Sequence, residues 1–132
     1  RGSTTASPST LPVIIDANGQ LGTIPSIRSK KENIIAVDPD LNHDKISQLQ
    51  PQRFDFIGCH GEYQTYGLIV DEVENIAPEL IAKNANNEPE SIYYDRLPIM
   101  LLSEIQRLNK IIKTQDDIMN NILNRLSILE NK

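Results

Sequence analysis

The chain has 132 residues, 39% of them hydrophobic and 23% charged, with a formal net charge of −5. That is enough for one domain with an appended segment, and it argues against a disordered or membrane-bound chain, since no apolar run approaches the ~20 residues that cross a bilayer. The acidic balance also argues against nucleic acid, whose phosphates are normally met by a basic face, because the one basic cluster, Arg28, Lys30 and Lys31, runs at once into Glu32.

The opening Arg1-Gly2-Ser3 and the TTASPST that follows read as a cloning remnant and a flexible linker, with no signal pattern, and are left out of the fold. Residues 11–16 (LPVIID) are apolar and β-branched, and Asn18-Gly19 is a turn signal, so a strand and turn come next, with a second short strand over 21–24. Residues 33–37 (NIIAV) read as a buried strand, broken by Asp38-Pro39-Asp40. A short helix is expected over 41–49, capped by Asn42 or Asp40, with Ile46 and Leu49 inward.

Residues 53–57 alternate, Gly58 and Gly61 mark a hairpin turn, and 63–70 is the partner strand. A brief helix over 71–76 stops at Pro78, residues 79–81 follow, AKNANNEPE reads as a polar loop, and 91–94 as a last short strand. Cys59 is the only cysteine, which rules out an internal disulfide and fits a reducing compartment. Its neighbour His60 invites a metal, but His43 is the only other imidazole, so neither a metal nor a cofactor is expected. The few aromatics imply a modest core and favour oligomerisation.

From Leu97 to Leu129 the pattern changes to one long helix without glycine, whose only proline, Pro98, sits in the first turn. Steps of four and three pick out Leu101, Ile105, Leu108, Ile112, Gln115, Met119, Ile122, Leu126 and Leu129, a heptad seam apolar at all positions but Gln115. Ile105, Ile112, Met119 and Leu126 occupy a, and the others d. A helix packed on its own domain fits the first two turns, where Leu102 and Ile111 widen the stripe. Beyond Thr114 a narrower face, with Asn120, Asn121 and Asn124 outside, favours an intermolecular coiled coil of two or three strands.

Ser26 and Lys31 stand five residues apart at the junction between the first hairpin and the rest. A serine hydroxyl becomes a nucleophile when a base takes its proton, and a lysine can be that base only when neutral, which needs desolvation or nearby positive charge. On a regular helix residues five apart point about 140° away from each other, so the pair needs an irregular backbone, for which Gly22 and Pro25 provide. Taken alone the spacing is weak evidence, since such a pair is most often solvated surface. Asn33 is placed either to bond a developing oxyanion or to cap local backbone.

Four landmarks in order, NGQLGTIPSIRSKKENI at 18–34, the Phe54 strand, YGLIVDEVENIAPELI at 66–81 and SIYYDRLPIMLLSEIQRLNK at 91–110, carry a resemblance. The chain resembles the C-terminal intramolecular chaperone domain of phage tailspikes, tail fibres and neck appendages, the endosialidase type, also found in the membrane-anchored myelin regulatory factor. The resemblance implies an α+β fold: a small β-sheet and hairpin domain with short helices, and a long C-terminal helix forming a homotrimeric coiled coil. It divides the chain into 1–25, the linker and end of the parent protein, 26–96, the chaperone core, and 97–132, the trimerisation helix.

In that family the domain trimerises, sets register for the upstream fibre or spike in cis, and then cuts itself free with a Ser-Lys dyad. Carried over, Ser26 is the nucleophile, Lys31 its base, Pro25–Ser26 the scissile bond, and Asn33 a supporting polar residue. Ile27 stands where relatives often carry a small or acidic residue. The resemblance implies a single-turnover serine endopeptidase, in a virion component processed in the host cytoplasm, with no nucleic-acid or membrane partner. The competing reading is a structural coiled-coil trimeriser whose dyad is inert.

Overall fold

Asp38 starts the helix that the rest of the domain is built on. The computed structural model describes residues 9–16, 18–59, 61 and 65–132, so the N-terminal remnant, His60 and the start of the strand expected at 63 lie outside the described residues. Helix α1 spans Pro39–Gln48, and Asp38 Oδ1 accepts from the backbone N–H groups of Asp40 and Leu41 at 2.9 and 3.1 Å. Asp38, not Asp40 or Asn42, is therefore the cap. Pro39 fits the first turn because it has no N–H to satisfy there, which moves the helix start upstream of the expected one.

Ahead of α1, strands β1 (Ile14–Ile15) and β2 (Leu21–Gly22) form the expected hairpin, shorter than the sequence suggests. Asp16 Oδ1 closes its turn by accepting from Asn18 N and Gln20 N, both at 2.9 Å. The strand expected over 33–37 does not form. Among the described residues that segment finds no partner to complete a ladder, and Ile34 and Ile35 are 53% and 84% exposed. Apolar β-branched residues make a strand only where another strand accepts their backbone groups.

Strands β3 (Gln52–Phe54) and β4 (Thr65–Gly67) pair antiparallel, with Arg53 opposite Tyr66. Helix α2 (Val70–Val73) and a 3-10 turn at Pro78–Leu80 lead into β5 (Ile81–Lys83), which pairs with β6 (Pro89–Ile92). The two ends of the AKNANNEPE segment are thus strands, not loop. Its middle is a turn organised by Asn84, whose Oδ1 accepts from Asn86 N and Glu88 N at 2.9 and 3.0 Å. Among the described residues the three ladders remain separate two-stranded sheets. The fold is α+β, with small antiparallel sheets and one long helix.

The core is small: Leu49, Leu68, Val73, Ala77, Leu80, Ile81 and Ile92 are buried, with Ile46, Val70, Ile76, Leu97 and Met100 packed against them. Gly67 is needed where β4 crosses Tyr94. A Cβ there would lie 2.7 Å from the Tyr94 hydroxyl, which accepts from Leu68 N at 2.9 Å.

Helix α3 runs from Leu97 to Glu130, 34 residues or about 51 Å at 1.5 Å per residue. Only its first turns touch the domain. Asn42 of α1, 4% exposed, donates its side-chain amide to Met100 O at 2.9 Å. His43 Nδ1 lies 2.8 Å from Glu104 Oε1, and Arg107 Nε donates to Asp40 Oδ1 at 3.1 Å. Leu97, Met100, Ser103, Glu104 and Arg107 form the covered face, and every residue from Leu108 onward is exposed. The seam Leu101, Ile105, Leu108, Ile112, Gln115, Met119, Ile122, Leu126 and Leu129 points away from the domain's own core and is exposed throughout. Ile118 and Leu123 flank it, so the apolar face does not narrow beyond Thr114 as the stepping pattern suggested.

Candidate functional site

The hairpin β1–β2 delivers the chain through Ile24 and Pro25 to Ser26, and the backbone then leaves regular geometry. Ile27 is extended, a single 3-10 turn follows over Arg28–Lys30, and Lys31 is extended again. Lys30 N and Lys31 N close the turn on the carbonyls of Ile27 and Arg28 at 3.1 and 3.0 Å. A helix would point residues 26 and 31 apart, but this extended–turn–extended path folds one side chain back over the other. Lys31 Nζ lies 3.3 Å from Ser26 Oγ, within hydrogen-bond reach. Both residues are exposed in the single chain.

Ser26 and Lys31 open onto a cleft of about 720 Å³ whose opposite walls are α1 and the start of α3. Leu41, Leu80, Ile99 and Met100 make an apolar floor, and Ile24, directly before Pro25, lies on the same surface. Charges line the rim: Lys45 Nζ bonds Glu79 Oε1 at 2.5 Å, and Arg96 Nη1 donates to Glu79 O at 2.6 Å while its guanidinium stacks 3.8 Å over the Tyr93 ring. Burial alone would raise the Glu79 carboxyl, but the Lys45 hydrogen bond, a backbone hydrogen bond and the Lys45 charge outweigh it, leaving Glu79 below the ordinary value of 4.5.

The chemistry open to this arrangement is acyl transfer: a hydroxyl beside an amine, next to a peptide carbonyl, at the edge of a cleft with an apolar floor. The charged state of lysine donates to the hydroxyl rather than accepting from it, so a base role requires a drier site than the open cleft of one chain. Asn33 sits just beyond Lys31 with a left-handed φ of 52°, which asparagine tolerates better than most residues, and it is not among the residues lining the cleft. Cys59 is exposed, and His43 is engaged with Glu104. Among the described residues no group of three metal-ligating side chains converges, and no helix is long and apolar enough to cross a membrane.

Lys45, Glu79, Asp95 and Arg96 were not legible as cleft residues. They come from three separate parts of the sequence, and only the docking of α1 on α3 brings them to one rim. The spacing of Ser26 and Lys31 carried the signal for the pair itself.

Residues 27–82 match the family described as Chaperone of endosialidase. The matched segment begins one residue after Ser26, takes in Lys31, Asn33, α1, the β3–β4 hairpin and α2, and ends within β5. No curated protein matches the chain.

Proposed function

Since residues 27–82 form a chaperone-of-endosialidase domain, we propose that the chain is an intramolecular chaperone for a fibre, spike or appendage segment N-terminal to it. It works as a homotrimer and frees itself by cutting its own Pro25–Ser26 bond. The observation that carries the reading is the 3.3 Å approach of Lys31 Nζ to Ser26 Oγ at the edge of the matched domain.

In this reading Ser26 Oγ attacks the carbonyl carbon of Pro25, closing a five-membered ring through its own backbone nitrogen, while its proton passes to the neutral amine of Lys31. Collapse of the tetrahedral centre breaks the Pro25–Ser26 C–N bond, and Lys31 returns the proton to the leaving nitrogen. Water then hydrolyses the ester left on Oγ, giving a carboxylate on Pro25 and a new N-terminus at Ser26. Asn33, which is not on the cleft wall, holds the bend after Lys31 rather than the oxyanion.

A lysine base needs a drier site than the exposed pair of one chain offers, so in this reading the cut follows assembly. A neighbouring copy covering the cleft mouth supplies the desolvation that a lysine base needs. Threading several chains into an intertwined parent costs loop-closure and encounter entropy, and a quickly formed helical trimer raises the effective concentration of the segments still to be paired. Cutting afterwards removes the route back and leaves the parent kinetically trapped. The chain is then a virion precursor element processed in the host cytoplasm.

The test is intact-mass spectrometry of the chain expressed with its upstream segment. A fragment starting at Ser26, absent from Ser26→Ala and Lys31→Ala, is expected. Only full-length wild-type chain under folding conditions would refute the cut and leave the second reading, an inert trimerisation domain, which the exposure of both dyad side chains in a single chain favours.

A further inference from the structure

Ile24 and Ser26 both line the cleft, whereas Pro25 between them does not. Among the described residues ahead of the proposed cut, Ile24 alone lies on the cleft surface. The β1–β2 ladder ends at Gly22, so no strand pairing holds Thr23, Ile24 or Pro25. The approach to Ser26 therefore hangs on one apolar side chain.

That side chain is stiffly coupled to the Pro25 carbonyl. Contact with the proline ring confines the preceding residue largely to extended backbone, and the ring fixes the proline φ at about −65°. With a planar peptide bond between the two residues, no freely turning torsion separates the Cα of Ile24 from the carbonyl carbon of Pro25. The seat of Ile24 thus sets where that carbon lies. Leu80, fully buried, and Met100, packed against the core, tie this seat to the rest of the domain. Leu41 and Ile99, 63% and 59% exposed, leave an apolar surface open beside them. Ile24 is itself 63% exposed, so it rests at the edge of that surface and is not enclosed by it.

We propose that Ile24 positions the scissile bond, and that the surface of Leu41, Leu80, Ile99 and Met100 selects for an apolar residue two places before Ser26. The proposal rests on the self-cleavage reading above and gives it a substrate requirement. A hydrocarbon side chain supplies no proton and no charge, so Ile24 acts only through where it holds the Pro25 carbonyl against Ser26 Oγ. Misplacing reacting atoms by about 1 Å costs on the order of 10²-fold in rate, so even a partial seat matters. Leu21 and Thr23 lie off the cleft and are free to follow the parent's own fold.

The experiment times the cut by intact-mass spectrometry in the chain expressed with its upstream segment, with light scattering to follow its mass. Wild type is compared with Ile24→Leu, Ile24→Ala, Ile24→Asp and a charge control, Thr23→Asp, at an exposed neighbour off the cleft. Ile24→Asp should slow the cut at least about tenfold at unchanged oligomeric mass, with Ile24→Leu faster than Ile24→Ala and Thr23→Asp close to wild type. If Ile24→Asp changes the oligomeric mass, the order of the two apolar variants decides, and equal rates for Ile24→Leu and Ile24→Ala overturn the proposal. A wild-type chain that cuts no faster than Ile24→Asp, or a Thr23→Asp chain slowed as much, overturns the role of Ile24 and leaves the self-cleavage reading standing. A wild-type chain that is never cut overturns both.

Discussion

The side-chain amide of Asn42 donates to the main-chain carbonyl of Met100 across 2.9 Å, joining residues 58 apart in sequence. This buried bond fixes α1 against the start of α3 and thereby sets the distance between the two far walls of the Ser26 cleft. Asn42→Ala removes the donor and leaves a small void at a site only 4% exposed. The expected loss is about 1–3 kcal/mol of unfolding free energy, read from urea denaturation with an unchanged slope.

Gly67 and Tyr94 are similarly coupled. An added methyl would press on the Tyr94 hydroxyl at 2.7 Å and on the Phe54 ring at 3.2 Å, and the rigid phenol can retreat only by giving up its bond to Leu68 N. Gly67→Ala should cost about 1–3 kcal/mol. In a Tyr94→Phe background the same substitution should cost clearly less, since the clashing oxygen is gone, and thermal melts of the four chains measure the difference.

The Lys45–Glu79 clasp has a defined pH dependence. The Glu79 carboxyl is held below its ordinary 4.5, so the folded chain favours its ionised form more than the unfolded chain does. The clasp therefore stabilises at pH above that value, and the contribution disappears as pH falls through the lowered folded-state value. Lys45→Ala should be less stable than wild type near neutral pH, and the two should converge in strong acid. Both side chains are well exposed, so the gap is small. Chemical denaturation at several pH values reads it.

Most of the architecture was legible because its signals are local. Asn18-Gly19, the alternation around Phe54 and the glycine-free heptads from Leu97 to Leu129 each determine an element without outside help. The segment at 33–37 failed because Ile34 and Ile35 have strand-like side chains but no partner among the described residues, and pairing is not local information. The start of α1 was misplaced because Pro39 reads as a breaker from upstream and as a good first-turn residue from downstream. For the site, the Ser26–Lys31 spacing was visible, but the cleft was not. Its floor and rim combine α1, the Pro78 turn and α3, and only tertiary packing puts them together.

Leu126→Asp tests the seam in a stretch of α3 that is exposed at every residue. With the proposed homotrimer as the starting state, it should leave the domain's core and its melting behaviour in dilute solution unchanged while collapsing the light-scattering mass to that of a single chain. An oligomeric mass equal to wild type would refute the placement of Leu126 on the seam.

The covered and exposed faces of α3 answer to different constraints, and that separation has an evolutionary reading. The turns carrying Leu97, Met100, Glu104 and Arg107 must match α1, whereas the exposed helix beyond Ile111 would, in the proposed coiled coil, answer only to the phase begun at Ile105. Whole heptads there can be gained, lost or exchanged between lineages without disturbing the domain, provided the count stays a multiple of seven. In the proposed trimer, the domain and the helix that would join the copies can thus be recombined as separate cassettes, with Ile105 keeping them in frame.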